Sequence, residues 1–230
     1  MMRLTTRGLR DPDLLGVLGM LVLLATPLGP THAQTAVTRD DVIAKLDHFE
    51  TDAEIDVPAL RQQALERSRS RSRNEPPPSS RPPIAPDLTK LPTFNADIRF
   101  DVDTPIVLPD SYVTVGRIAD ALTHSTLLPY TFLIVGHIES GGRRDNNVLL
   151  SQRRADAIRD ILVNTFEIAP KRLQSVGLGE EQLLDPAKPN APVNNQVQIM
   201  LVGKLADAAP VAHPAPAAAA KKPAKPAKRH

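Results

Sequence analysis

Between Gly136 and Ala155 a carboxylate, a carboxamide and a guanidinium recur at spacings able to grip one small charged molecule. The stretch reads Gly136-His137-Ile138-Glu139-Ser140-Gly141-Gly142, and Asn147, Ser151 and Arg154 follow. The last three stand at i, i+4 and i+7, which places them on one side of a helix. That side runs on into apolar Ile158. A guanidinium at the edge of a buried stripe is costly unless acceptors meet it, and Glu139 is the nearest carboxylate by topology. With Arg154 forked onto a carboxylate, Glu139 receiving an ammonium and Asn147 adding an amide, the trio suits a zwitterionic ligand.

Each residue also has a plainer reading. Arg154 alone would form a surface ion pair with Asp145, Asp156 or Asp160, worth little. Asn147 alone would be a residue favoured at a helix start, and His137 a packed side chain at a strand end. No second histidine or carboxylate stands at metal spacing from His137, so no metal is expected. Ser151 sits within a helix and not on a strained elbow, which argues against a nucleophile. Gly177-Leu178-Gly179 lacks the third glycine and the helix of a dinucleotide fingerprint. A non-catalytic binder without cofactor is the expectation.

The elements that must position these groups alternate. Ile98, Phe100 and Val102 read as a strand, and a helix follows Pro109, capped by Asp110 or Ser111, with Val115, Ile118, Ala119 and Leu122 on its buried stripe. The apolar run from Thr131 to Gly136 suits a central strand buried on both faces. A loop over 137–146 leads to a helix over 147–166, with Ala155, Ile158 and Leu162 inward and Pro170 beyond its end. Leu173 to Val176 is a short strand, and Val197, Ile199 and Leu201 alternate with polar neighbours as a half-exposed one at or near an edge. The order β-α-β-α-β plus a final strand predicts an α/β fold, a mixed sheet with helices packed on it. Ligands of such sheets sit beyond the carboxyl ends of the strands, where a helix N-terminus offers free N–H groups.

The remaining sequence is organised around that unit. Arg3, Arg7 and Arg10, an apolar run from Leu14 to Ala25 and the small-residue site Thr31-His32-Ala33 predict a signal peptide over 1–33, hence export. The protein has no cysteine, which excludes disulfides and thiolate metal sites. Residues 34–67 read as a short helical segment: Thr38 and Asp41 form a capping pattern before Val42, Leu46 and Phe49, and Pro58 opens a second piece. These are expected to make a small hairpin without a core and to offer a surface to an envelope partner. Residues 68–93, rich in Arg, Ser and Pro, are expected as an extended linker, and 204–230, of Ala, Pro and Lys, as a disordered basic tail able to meet anionic polymers or lipid head groups. With no Trp, two Tyr and five Phe, there are few platforms for stacking bases, and no specific nucleic acid is expected.

At Gly136, His137, Gly142, Asn147, Leu150, Ser151, Arg154 and Ala155 the sequence resembles the OmpA-like C-terminal domain family, over about 94–203. The resemblance implies a peptidoglycan-binding envelope protein, periplasmic and associated with the outer membrane or cell wall. Its ligand is then the diaminopimelate of the stem peptide, held by Glu139, Asn147 and Arg154, with His137, Gly142, Ser151 and Asn194 in support. Two departures stand out: Ile138-Glu139 replaces the family's Thr-Asp, and Asn194-Asn195-Gln196-Val197 replaces Asn-Arg-Arg-Val. They leave open a second reading, the same fold acting as a protein–protein interaction module.

Overall fold

The computed structural model describes residues 37–48, 53, 55–70 and 76–205. The signal peptide expected over 1–33 and the tail expected at the end of the chain, from residue 206 on, lie outside the described residues. The chain begins with α1 (Arg39–Leu46), started by a reciprocal cap: the Asp41 N–H donates to Thr38 Oγ1 at 3.2 Å, and the Thr38 N–H donates to Asp41 Oδ2 at 2.8 Å. Helix α2 (Val57–Arg69) follows, capped by Asp56 with Pro58 in its first turn. Then come β1 (Thr93–Ala96), α3 (Tyr112–Thr123), β2 (Tyr130–His137), α4 (Arg144–Asn164), β3 (Leu173–Gly179) and β4 (Val197–Lys204).

The sheet has the order β1-β4-β2-β3, with β2 and β3 parallel and β4 antiparallel to both its neighbours. This is the mixed α/β sheet expected from the alternating pattern. One face carries Phe94, Phe132, Ile134, Val197, Ile199 and Leu201, and meets α3 and α4 through Ile118, Leu122, Ile158 and Leu162. Gly136 and Gly177 lie where α4 crosses closest; a Cβ at either would run into the backbone of Ser151 or Gln152, so only glycine admits that approach.

Several expectations are corrected. Strand β4 is interior, and Gln198 and Met200, read as its outward face, are buried, because the second face of the sheet is covered too. The cover is α2 with the segment after it: Val57, Leu60, Ala64 and Leu88 pack on Leu133, Val135, Val176 and Met200. Residues 76–93, expected as an extended spacer, are therefore a strap lying on the domain, and α1 likewise places Val42 and Leu46, both fully buried, in the main core. Finally, the first strand is Thr93–Ala96 and not the Ile98–Val102 stretch. After Ile98 the chain closes a turn, with the Asp101 N–H donating to the Ile106 carbonyl at 2.8 Å and the Thr104 N–H to the Asp101 carbonyl at 3.1 Å. Val102 at that turn is 80% exposed. Ser111 opens α3 without capping it, because its Oγ accepts the Arg99 N–H at 2.8 Å.

The outer side of β3 is met by side chains. Arg159 Nε donates to the Leu173 carbonyl and Arg61 Nε to that of Ser175, both at 3.0 Å. Gln152 Oε1 accepts the Gly177 N–H at 2.8 Å and Ser151 Oγ that of Gly179 at 2.9 Å.

Candidate functional site

The carboxyl ends of β2 and β3 and the first turns of α4 meet at one end of the sheet, where the topology was expected to place a ligand. Helix α4 starts at Arg144, three residues before the expected Asn147, and the β2–α4 connection turns at Gly142 with φ 66. Glu139 opens that connection, half-buried, its N–H donating to Asn195 Oδ1 at 3.2 Å, and the Ser140 N–H donates to the Pro189 carbonyl at 2.8 Å. The Glu139 carboxylate itself forms no hydrogen bond or ion pair among the described residues.

Arg154, half-buried on the same helix, faces the turn after Ile98. Its Nε donates to the Thr104 carbonyl at 3.0 Å, and its guanidinium lies 4.8 Å from the centre of the Phe100 ring. The two terminal nitrogens make no hydrogen bond among the described residues. Burial pulls its pKa below the usual arginine value and Asp103, whose φ is 54, pushes it back; the group stays charged. Arg172 shows the contrast: its Nε and Nη2 donate to the carbonyls of Tyr130, Leu122 and Leu127, which makes it a fastener between elements. Arg154, by contrast, is fixed at one nitrogen among the described residues. The plainer reading fails: Asp145 pairs with Arg143, Asp160 with Arg159, and Asp156 with Gln152 and Ser175.

Glu139 and Arg154 are not paired with each other among the described residues. Asn147 is a holder of the loop: its Nδ2 donates to the Gly141 carbonyl at 2.7 Å and to Glu180 Oε2 at 3.4 Å. Ser151, fully buried, bridges the Val148 carbonyl and the Gly179 N–H. Asn194, also fully buried, ties its own loop through the carbonyls of Asp185, Lys188 and Pro189. Sequence reasoning missed Glu180 and Glu181, buried side by side beneath the loop and gripped by Arg144, whose Nη2 lies 2.6 Å from Glu181 Oε1 and whose Nε lies 3.3 Å from Glu180 Oε1. Their one visible signal was a doublet of acids directly after the Gly-Leu-Gly that ends β3.

His137 is buried, with Nδ1 2.8 Å from the Gln182 carbonyl and Nε2 2.9 Å from the Gln198 amide. Both partners are oxygen acceptors, the second being Gln198 Oε1, and a neutral ring can donate to one of them. Burial holds the pKa below the usual imidazole value, against the two hydrogen bonds. The unfolded chain therefore binds a proton at higher pH than the fold does. As pH falls below about 6.5 the unfolded state gains that proton first, and stability drops until the folded pKa is reached. Urea midpoints measured from about pH 7.5 down to about pH 5 should fall less for His137→Gln than for the wild type. Equal losses would remove the histidine from the acid response.

A model of the OmpA family matches residues 99–208. The chain carries an OmpA-family domain. Outer membrane porin F of Pseudomonas aeruginosa is 33% identical to it over 97 residues, covering 42% of this chain and 27% of the porin. The peptidoglycan-associated lipoprotein of Mesorhizobium japonicum is 34% identical over 85 residues, 37% of this chain and 49% of the lipoprotein. The chain thus spans about half or less of these curated relatives. Among solved structures, the peptidoglycan-associated lipoprotein from Burkholderia pseudomallei aligns with TM-score 0.37 and 23% identity over 45% of this chain and 86% of that one. The OmpA-family match begins at Arg99, so α1, α2, the strap and β1 all precede it.

Proposed function

We propose that the OmpA-family domain is a non-catalytic binder of peptidoglycan in the cell envelope, recognising the zwitterionic end of diaminopimelate in the stem peptide. Arg154 receives the ligand carboxylate through its two terminal nitrogens, and Glu139 receives the ammonium. The observation that carries this reading is Arg154 itself, anchored at Nε by Thr104 while its two terminal nitrogens bond to none of the described residues, fifteen positions after a carboxylate that is likewise unpaired among the described residues. A flat guanidinium with two parallel N–H groups is matched to a carboxylate. The name of the Mesorhizobium relative, a peptidoglycan-associated lipoprotein, points the same way. No helix among the described residues is long and apolar enough to cross a membrane; the reading places the protein in the envelope by export and wall contact. Helices α1 and α2 offer only their outer faces to an envelope partner, since their apolar faces pack on the domain.

Sedimentation with isolated sacculi tests the proposal. The protein should pellet with them, and free meso-diaminopimelate should release it. Pelleting that the free amino acid leaves unchanged, or no pelleting at all, would hand the domain to the interaction-module reading.

A further inference from the structure

The turn after β3 is held from two sides, residue by residue. On one side stands the strap with the end of α2. Arg81 Nη1 lies 3.4 Å from Glu180 Oε1, Arg67 Nε lies 3.2 Å from Glu181 Oε2, and the Ala85 N–H donates to Gln182 Oε1 at 3.0 Å. On the other side stand the ligand loop and its supports. Glu180 Oε2 accepts from the Gly141 N–H at 3.3 Å and from Asn147 Nδ2 at 3.4 Å, Glu181 is gripped by Arg144, and the Gln182 carbonyl accepts from His137. The strap is braced in itself, with Arg67 Nη2 on the Pro82 carbonyl at 2.8 Å and Arg81 Nε on that of Pro76 at 3.1 Å.

We infer that the strap regulates the ligand site, with Arg81 and Arg67 as positioning residues that act through Glu180 and Glu181 on the loop carrying Glu139. Glu180 divides one carboxylate between the two partners: Oε1 faces Arg81 and Arg144, and Oε2 faces Gly141 and Asn147. When the strap lifts, Oε1 loses one of its cations and the carboxylate turns toward Arg144, which draws Oε2 off the Gly141–Asn147 pair. The loop then loses one of the braces that fix where Glu139 stands, beside those from Asn195 and Pro189. Coupling between sites is reciprocal, so ligand in the site holds the strap down, and a force or partner that draws residues 76–92 away weakens the grip on the wall.

This inference rests on the proposed ligand site, so the experiment separates the two. Wild type, Arg81→Ala, Arg81→Lys and Arg154→Ala are compared as full chains in titrations with meso-diaminopimelate and in amide spectra that resolve the Gly141 N–H and the Asn147 side-chain NH2. Arg81→Ala should weaken binding about five-fold, at the low end of measured couplings, Arg81→Lys should restore most of it, and Arg81→Ala should shift both amide signals with no ligand present. Unmoved Gly141 and Asn147 signals overturn the inference whatever the ligand does. Shifted signals with unchanged affinity also overturn it, since the brace then has no bearing on binding. A protein that binds no diaminopimelate yet shifts both signals defeats the ligand assignment and leaves the coupling standing.

Discussion

Replacing Arg154 by alanine should lower the affinity for sacculi by about 10- to 100-fold while the protein stays folded. A hydrogen bond to a charged group contributes about 1.5–3 kcal/mol, and each 1.4 kcal/mol is a factor of ten. The two terminal nitrogens, which bond nothing in the fold among the described residues, carry that loss; the structure itself gives up one bond to Thr104 and the contact with Phe100. Arg154→Lys should recover only part of the affinity, because a point charge cannot reproduce the fork. Sedimentation at fixed salt, with the unfolding midpoint as control, checks both variants. Equal pelleting of wild type and Arg154→Ala would place the wall contact elsewhere.

The largest effect on stability should come from Glu181→Ala, about 3–5 kcal/mol, seen as a fall in the thermal midpoint of roughly 10 °C or more. The Glu181 side chain is fully buried and faces Arg144 and Arg67. Its removal leaves the Arg144 guanidinium buried without the carboxylate that lies nearest to it among the described residues. The cost is that of stranding a charge, not the net worth of the pair. Replacing Arg144 and Glu181 together by apolar residues of similar size should therefore cost clearly less than the sum of the single changes, and a double-mutant cycle on thermal midpoints measures the difference. An additive cycle would show that the two act independently.

What could be read in advance was local. The apolar run from Thr131 to Gly136 became the buried β2, the i, i+3, i+4 stripe of α3 fell on the core, and the Thr38–Asp41 pattern formed its reciprocal cap. The strap was illegible because its composition argues against structure while a few positions carry the docking. Leu88 and Arg81 are scattered through a Pro- and Arg-rich stretch, and the bond from Arg81 to Glu180 spans 99 positions. Once that cover was missed, the strand from Val197 had to be read as half-exposed, with Gln198 and Met200 facing water. At the site, the helix spacing placed Arg154 on α4, but the partner of its Nε, Thr104, lies in a turn just beyond the Ile98–Val102 stretch that reads as a strand. Asn147 is an amide of the expected kind, and its nitrogen holds the loop through the Gly141 carbonyl, a partner that spacing alone could not name.

The side-chain donors and acceptors along the outer flank of β3 bear on how many copies can crowd together. A bare flank would be a template on which an extended segment of a neighbour could align. Here the groups of Leu173, Ser175, Gly177 and Gly179 already have partners from Arg61, Gln152, Ser151 and Arg159, so an incoming chain would have to displace guanidinium and carboxamide groups before its first rung could form. Packed densely on a polymer surface, such molecules can touch on that side without zipping into a continuous array.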